Sequence, residues 1–183
     1  MKVELTIWYL EMLNRQQLRP KTSQHPNLNI QQAELPCPEF SRFLYTSVGG
    51  DWYWCDRLKW TYDRWAAHLN QPGIKTWVAY VAGTPAGYVE LEAQSDGNVE
   101  IAYFGLLSQF IGQGLGGHLL TIGVEQAWNM DAKRVWVHTC SLDGPHALKN
   151  YQSRGFTLYN TQVAFIEIPD YPPGPWAGAR PVA

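Results

Sequence analysis

Val3, Leu5, Ile7 and Tyr9 recur with period two, and Trp8 and Leu10 on the opposite face imply burial on both sides, so the chain opens on a predicted strand. Residues 14 to 36 are rich in Gln, Asn and Pro, carry no clear period and read as loop. From about Pro38 to Leu69 the apolar positions fall at helical spacing, with Phe40, Phe43 and Leu44 on one stripe and Trp60, Trp65 and Leu69 further on; Gly49-Gly50-Asp51 breaks the run into two helices. A strand follows from Thr76 to Ala82, Thr84-Pro85 is the expected turn, and Ala86 to Ala93 is expected to pair back antiparallel. Ser95-Asp96-Gly97-Asn98 then turns the chain into a strand from Val99 to Leu107.

Leu115, Leu119 and Ile122, flanked by Leu120, Val124 and Ala127, give residues 115 to 130 the broad apolar face of a helix that covers a sheet. Arg134 to Thr139 reads as a short buried strand. Because it follows a helical crossover, it is expected to run parallel to the strand that ends at Leu107. Gly144-Pro145 opens a helix that stops at Gly155, and Val163 to Ile168 closes the sheet. The pattern is that of a single α/β domain over residues 1–168, followed by a proline-rich tail, 169–183, expected to be an extended or loose arm.

A length of 183 residues and a hydrophobic content of 45% suit one domain with a real core. Fourteen basic against sixteen acidic residues give a formal charge of −2, which argues against nucleic acid or an anionic membrane as the main partner. Cys37, Cys55 and Cys140 are odd in number and lack metal-ligand spacing, so neither a disulfide framework nor a metal is expected. The opening residues lack a signal peptide's apolar region and cleavage site, and no run approaches the roughly twenty apolar residues of a membrane span. A soluble, cytoplasmic protein is the expectation.

The segment Gln109-Phe110-Ile111-Gly112-Gln113-Gly114-Leu115-Gly116-Gly117 lies between a predicted strand and a predicted helix. Glycines permit positive φ and close approach of a ligand to the main chain, while the first turn of a helix presents unpaired N–H groups and the positive end of its dipole. The segment is therefore a candidate anion cradle, suited to a pyrophosphate. A P-loop would end Gly-Lys-Ser or Gly-Lys-Thr, and this turn continues Gly116-Gly117-His118. A dinucleotide fingerprint fits less well, because the loop follows several strands and Asp131 precedes the next strand instead of lying at its tip. No Lys or Arg occurs between Lys75 and Lys133, so backbone N–H groups must carry most of the phosphate binding and any side-chain charge must come from elsewhere in the chain.

The pattern Gln109-x-x-Gly112-x-Gly114 resembles the coenzyme loop, Q/R-x-x-G-x-G/A, of the GNAT superfamily of acyl-CoA-dependent N-acyltransferases. Ala147 to Phe156 resembles that family's A-x-x-x-Y-x-x-x-G-F segment, and Glu100 to Leu106 its fourth strand, in the family's order; the likeness is clearest over residues 74–168. The resemblance implies a mixed, mostly antiparallel sheet flanked by helices, whose central parallel strands splay apart around a pantetheine arm. It implies acetyl-CoA as cosubstrate, held by Gln109, Ile111, Gly112, Gln113, Gly114, Leu115, Gly116 and Gly117, with backbone groups near Leu106 and Leu107 on the arm and the thioester carbonyl.

Acyl transfer to an amine needs a base, an oxyanion site and a proton for the thiolate. By the resemblance Glu100 is the candidate base, with Glu90 and Glu92 as substitutes, and Tyr151 the candidate acid for sulfur. An outward-facing Glu100 and a core Tyr151 are the structural alternatives. Gly144 stands where many family members carry an asparagine that contacts the arm, and Asp143 is expected to cap the following helix instead. Cys140 and His138 end a strand beside the expected cleft, and the aromatic run from Asp51 to Trp60, with Asp51 and Asp56, offers a wall for a cationic amine. The expected partner is a small-molecule or peptide amine, and a homodimer is compatible with the sequence. A non-catalytic acyl-CoA-binding module and a protein lysine or N-terminus acetyltransferase stand as alternatives.

Overall fold

In a computed structural model, which describes residues 1–179, seven strands form one sheet in the order β2-β3-β4-β5-β6-β1-β7. In chain order these are β1 (Lys2–Met12), β2 (Leu28–Gln32), β3 (Ile74–Val81), β4 (Thr84–Ala93), β5 (Asn98–Leu106), β6 (Arg134–Cys140) and β7 (Thr157–Glu167). The helices are α1 (Pro38–Gly49), α2 (Tyr62–Leu69), α3 (Leu115–Trp128) and α4 (Ala147–Ser153). Every neighbouring pair is antiparallel except β5 and β6.

The alternation of β4 sorts two layers. Val89 and Leu91 join Leu115, Leu119, Leu120 and Val124 of α3 in the larger core, which Leu10 and Met12 of β1 and Tyr151 and Phe156 complete. On the opposite face Tyr88 packs with Val78 and with Leu44 and Val48 of α1. Pro38 starts α1 at a position where its missing N–H costs nothing, and the Thr61 side chain accepts from the Arg64 N–H to start α2.

Several expectations change: β7 begins at Thr157 and not at Val163, and residues 53–61 of the expected helical run are not helical. The β3–β4 turn is Ala82-Gly83, both at positive φ, and not Thr84-Pro85. Thr84 and Pro85 already pair with Val81 and Tyr80, and the proline sits beside a register shift, where a missing donor is tolerated. Within the polar segment 14–36, Leu28 and Ile30 alternate on β2, an edge strand on β3. The tail is anchored at one point of its described length, where Gly174 is buried and donates to the Gly50 carbonyl. Residues 180–183 of that expected arm lie outside the described residues.

The expected parallel pair is present, and so is its splay. Register runs only through Asn98 with Arg134, Val99 with Val135 and Glu100 with Trp136, after which β5 continues to Leu106 and β6 to Cys140 as walls of an open cleft. β1 supplies the strand beyond β6, with Tyr9 opposite His138 and Ile7 opposite Cys140.

Candidate active site

The cleft between β5 and β6 has a volume of about 880 Å³ and runs from the glycine loop to the aromatic segment before α2. At the loop end, Gly112 and Gly114 have φ of 85° and 76°, and Gly114 is the residue preceding α3. No side chain caps this helix, so its first N–H groups remain available to an anion. A Cβ on Gly112 or Gly114 would meet nothing within 4 Å, which leaves open space over the main chain.

Leu106, Ile111, Gly112, Gly116 and Gly117 line the cleft. Other residues expected there shape the loop: Gln113 Nε2 donates to the Gln109 carbonyl at 2.7 Å, and Leu115, 1% exposed, anchors the helix in the core. Leu107 is a correction to the expected arm contacts. Its N–H donates to the Ala86 carbonyl and its carbonyl accepts from Phe110, so both groups serve the fold, and the residue does not line the cleft.

The positive charge missing from the loop arrives from distant segments. Lys21, Lys149 and Arg154 line the cleft, and at the loop end a Cβ on Gly117 would lie 2.7 Å from Lys21 Cδ and 2.8 Å from Arg154 Nη1. Arg154 Nε is buried without a hydrogen-bond partner. Lys21 is fixed by its N–H to Thr121 Oγ1 at 2.9 Å, and its neighbour Arg19 donates to the Arg154 carbonyl at 3.0 Å. Positive-φ glycines, an uncapped helix start and these cations fit a pyrophosphate. No signal in the local sequence connects Lys21 to position 117.

Tyr151 lines the cleft from α4, 5% exposed, with its ring edge-on to Phe104 and Phe156. Burial, reinforced by the charge of Asp143, raises its phenol far above the ordinary tyrosine range, so it stays protonated at any working pH. The core and cleft readings of this residue both describe it. Asp143 does not cap α4, contrary to expectation: one of its carboxylate oxygens accepts from Thr139 Oγ1 at 2.6 Å and from the Cys140 N–H at 2.9 Å, closing the turn after β6. Burial, then the charge of Asp143, pushes the Cys140 thiol up to about 11, which removes the thiolate a nucleophile requires.

Glu100 lies on the opposite, α1-side face and is not a lining residue. Its carboxylate accepts from Gln94 Nε2 at 2.7 Å and faces His138 Nδ1 at 3.3 Å, and His138 does line the cleft. Glu90 is withdrawn from any such role, being held by Arg57 at 2.9 Å and His68 at 3.0 Å with its side chain 2% exposed. Burial alone would raise the Glu90 carboxyl, but the His68 hydrogen bond and the Arg57 charge outweigh it and hold it below the usual range.

Trp52, Tyr53, Trp54 and Asp56 line the far end of the cleft, and Asp51 does not. The Asp56 carboxylate accepts from Tyr45 at 2.6 Å and from Tyr103, while Trp54 and Tyr103 meet edge to face. Arg57 is stacked on Trp60 and Tyr103 at 4.6 and 4.3 Å, so these large rings also build the second layer. Among the described residues no group of His, Cys, Asp and Glu is arranged to hold a metal ion, and no helix is long and apolar enough to cross a membrane.

The model of the acetyltransferase (GNAT) family matches residues 31–156, and the chain belongs to this family. The match takes in the whole cleft loop and α4 and leaves β1 and β7 outside. A GCN5-related N-acetyltransferase from Kribbella flavida superposes with a TM-score of 0.63 at 18% identity, over 88% of this chain and 58% of that one. A tandem GNAT protein from the clavulanic acid biosynthesis pathway gives 0.56 at 14% identity, over 88% and 52%. The present chain thus spans little more than half the length of both. An aminoglycoside acetyltransferase from an uncultured soil metagenomic sample gives 0.57 at 19% identity, over 70% of this chain and 87% of that one. No curated protein matches.

Proposed function

We propose that this domain moves an acetyl group from acetyl-CoA to a primary amine by direct attack in a ternary complex. One observation carries the reading: the gap between β5 and β6 has an anion cradle at one end, an acidic and aromatic wall at the other, and the Tyr151 phenol between the strands. Acetyl-CoA supplies an activated thioester. The loop N–H groups, Lys21 and Arg154 hold its phosphates, and the wall of β5 orients the arm. A protonated Tyr151 can give its proton to the departing sulfur. A thiol has a reference pKa of about 8.5 and a phenol about 10, and burial raises the Tyr151 phenol further, so that transfer is uphill and depends on the close placement of the donor.

The acceptor end favours a small cationic amine over a protein chain, because Trp52, Tyr53, Trp54 and Asp56 wall it. Rings and a carboxylate attract an ammonium group. The three cysteines are free, which fits the reducing cytoplasm. The test is release of free thiol from acetyl-CoA across a set of small amines and lysine peptides, alongside calorimetry of Gly114→Asp. That substitution adds bulk and like charge where the pyrophosphate would lie, so acetyl-CoA affinity should collapse in a protein that still folds. Unchanged affinity would remove the loop from the site, and thiol release with peptides alone would replace the small acceptor by a protein one.

A further inference from the structure

Glu100 is connected to the cleft through a single side chain, and that side chain is held on several sides. Trp136 Nε1 donates to Gln94 Oε1 at 3.0 Å, Gln94 Nε2 donates to Glu100 at 2.7 Å, and Glu100 faces His138 Nδ1 at 3.3 Å. The imidazole lies against Trp136, with ring centroids 6.1 Å apart, and against Tyr9 at 6.0 Å. Glu100 is 13% exposed at its side chain, whereas His138 is 48% exposed and forms part of the cleft wall. A carboxylate so enclosed is badly placed to meet an acceptor, and the ring in front of it is well placed.

The remaining acid–base groups on this side of the cleft are committed elsewhere. Asp56 is bound by two phenols, Asp143 closes the turn after β6, and Cys140 is held as a thiol. His146, the other histidine of the cleft, stands at the start of α4 on the Tyr151 side.

We propose that His138 is the catalytic base of this domain and that Glu100 is the positioning residue behind it. His138 Nδ1–H donates to the Glu100 carboxylate, which fixes the tautomer and leaves Nε2 to take the proton of the acceptor's ammonium group. The neutral nitrogen then attacks the thioester carbonyl carbon. The C–N bond forms, the C–S bond breaks and its electron pair leaves on sulfur, which takes a proton from Tyr151. The attacking nitrogen, cationic once the C–N bond has formed, loses its second proton to solvent; His138 sheds its own proton to solvent, and solvent returns one to Tyr151. The inference rests on the acetyl-transfer reading above.

The geometry has a pH consequence. The titratable groups facing the imidazole are Glu100 on β5, Asp143 after β6, Asp56 across the cleft and the Tyr9 phenol on β1. The hydrogen bond to Glu100 raises the His138 pKa, burial opposes it, and the charges of Glu100, Asp143 and Asp56 add to the rise. The base is active only above its own pKa. Turnover at low acceptor occupancy should therefore rise with pH through a value above the ordinary 6.5 or so of a histidine.

The experiment is single-turnover acetyl transfer as a function of pH, using an amine that the wild type accepts, with NMR titration of the His138 ring and calorimetry of acetyl-CoA binding on each variant. His138→Gln should bind acetyl-CoA normally, lose the histidine limb of the profile and react about a hundredfold or more slowly, with little change in KM. Glu100→Gln should move both the limb and the NMR midpoint of His138 to lower pH. Wild-type rate and profile in His138→Gln would overturn the proposal. So would a slow Glu100→Gln variant with an unmoved His138 titration, which would make Glu100 the base itself. Absence of thiol release by the wild type with every amine is a different failure, since it would take down the acetyl-transfer reading along with this one.

Discussion

Tyr151 and Glu90 show two opposite uses of a buried polar group. Tyr151 keeps its proton because burial disfavours the phenolate, so the packed ring carries the proton that the proposed mechanism gives to sulfur. Tyr151→Phe preserves the ring against Phe104 and Phe156, and is expected to bind acetyl-CoA as the wild type does while chemistry slows about a hundredfold or more. Equal single-turnover rates would make Tyr151 a core residue only. Glu90, in contrast, is kept ionised by Arg57 and His68, and its folded pKa lies below the unfolded value of about 4.3. A depressed carboxylate contributes stability that is present above the unfolded pKa and is lost as pH falls through the folded one. Glu90→Gln leaves Arg57 buried without its counter-charge and is expected to cost about 3–5 kcal/mol in urea denaturation. It should also lose that acid-side decline of stability. A variant as stable as the wild type at neutral pH would show that the buried cluster does not hold the second layer.

At the scale of elements, the site depends on loops that lie far apart in sequence. Gly155, just after α4, has φ of 103°, and a Cβ there would stand 1.9 Å from the Gln17 carbonyl oxygen. The segment it touches continues through Arg19, which is bonded to Arg154, to Lys21 at the cradle. Gly155→Ala must push that segment away or strain the helix end, so it should lower the melting temperature and weaken acetyl-CoA binding together. Gly112→Ala is the contrast in stability, since its Cβ meets nothing in the fold and the backbone strain costs about 1–2 kcal/mol, while in the proposed cradle it would still stand where the anion approaches. Thermal melts and calorimetry on the pair check this. An unaltered affinity in Gly155→Ala would detach Lys21 from the coenzyme end.

At the scale of the molecule, the first strand is an interior one. β1 lies between β6 and β7 in the sheet, and Leu10 and Met12 are fully buried in the main core. Among the described residues β7 pairs with β1 and, at the sheet edge, with no other strand. Deleting residues 1–12 should therefore free β7, open the core beside α3 and abolish cooperative unfolding, as followed by circular dichroism. A sharp melt in the truncated chain would show that the cleft strands hold without it.

Much of the fold was legible because its cues are local. Alternation marks β1 and β4–β5, helical spacing marks α1 to α3, and glycines where the chain needs positive φ mark the loop before α3. The Ala82-Gly83 turn was misread because proline is a strong turn signal that a register shift can absorb. β2 was hidden because a short edge strand needs few apolar residues. Glu100 and Tyr151 were found as motif positions, but their surroundings were not, for those depend on which strands and turns fold against one another. Backbone preference and periodicity, which act over a few residues, account for the elements, the single parallel crossover and the positive-φ glycines before α3. Tertiary structure alone decided the rest: β1 beyond β6, Lys21 and Arg154 over the cradle, Glu90 tied to Arg57, and His138 in front of Glu100. Each of these joins residues that meet only when the sheet closes, where burial and charge act through space and sequence separation carries no trace of them.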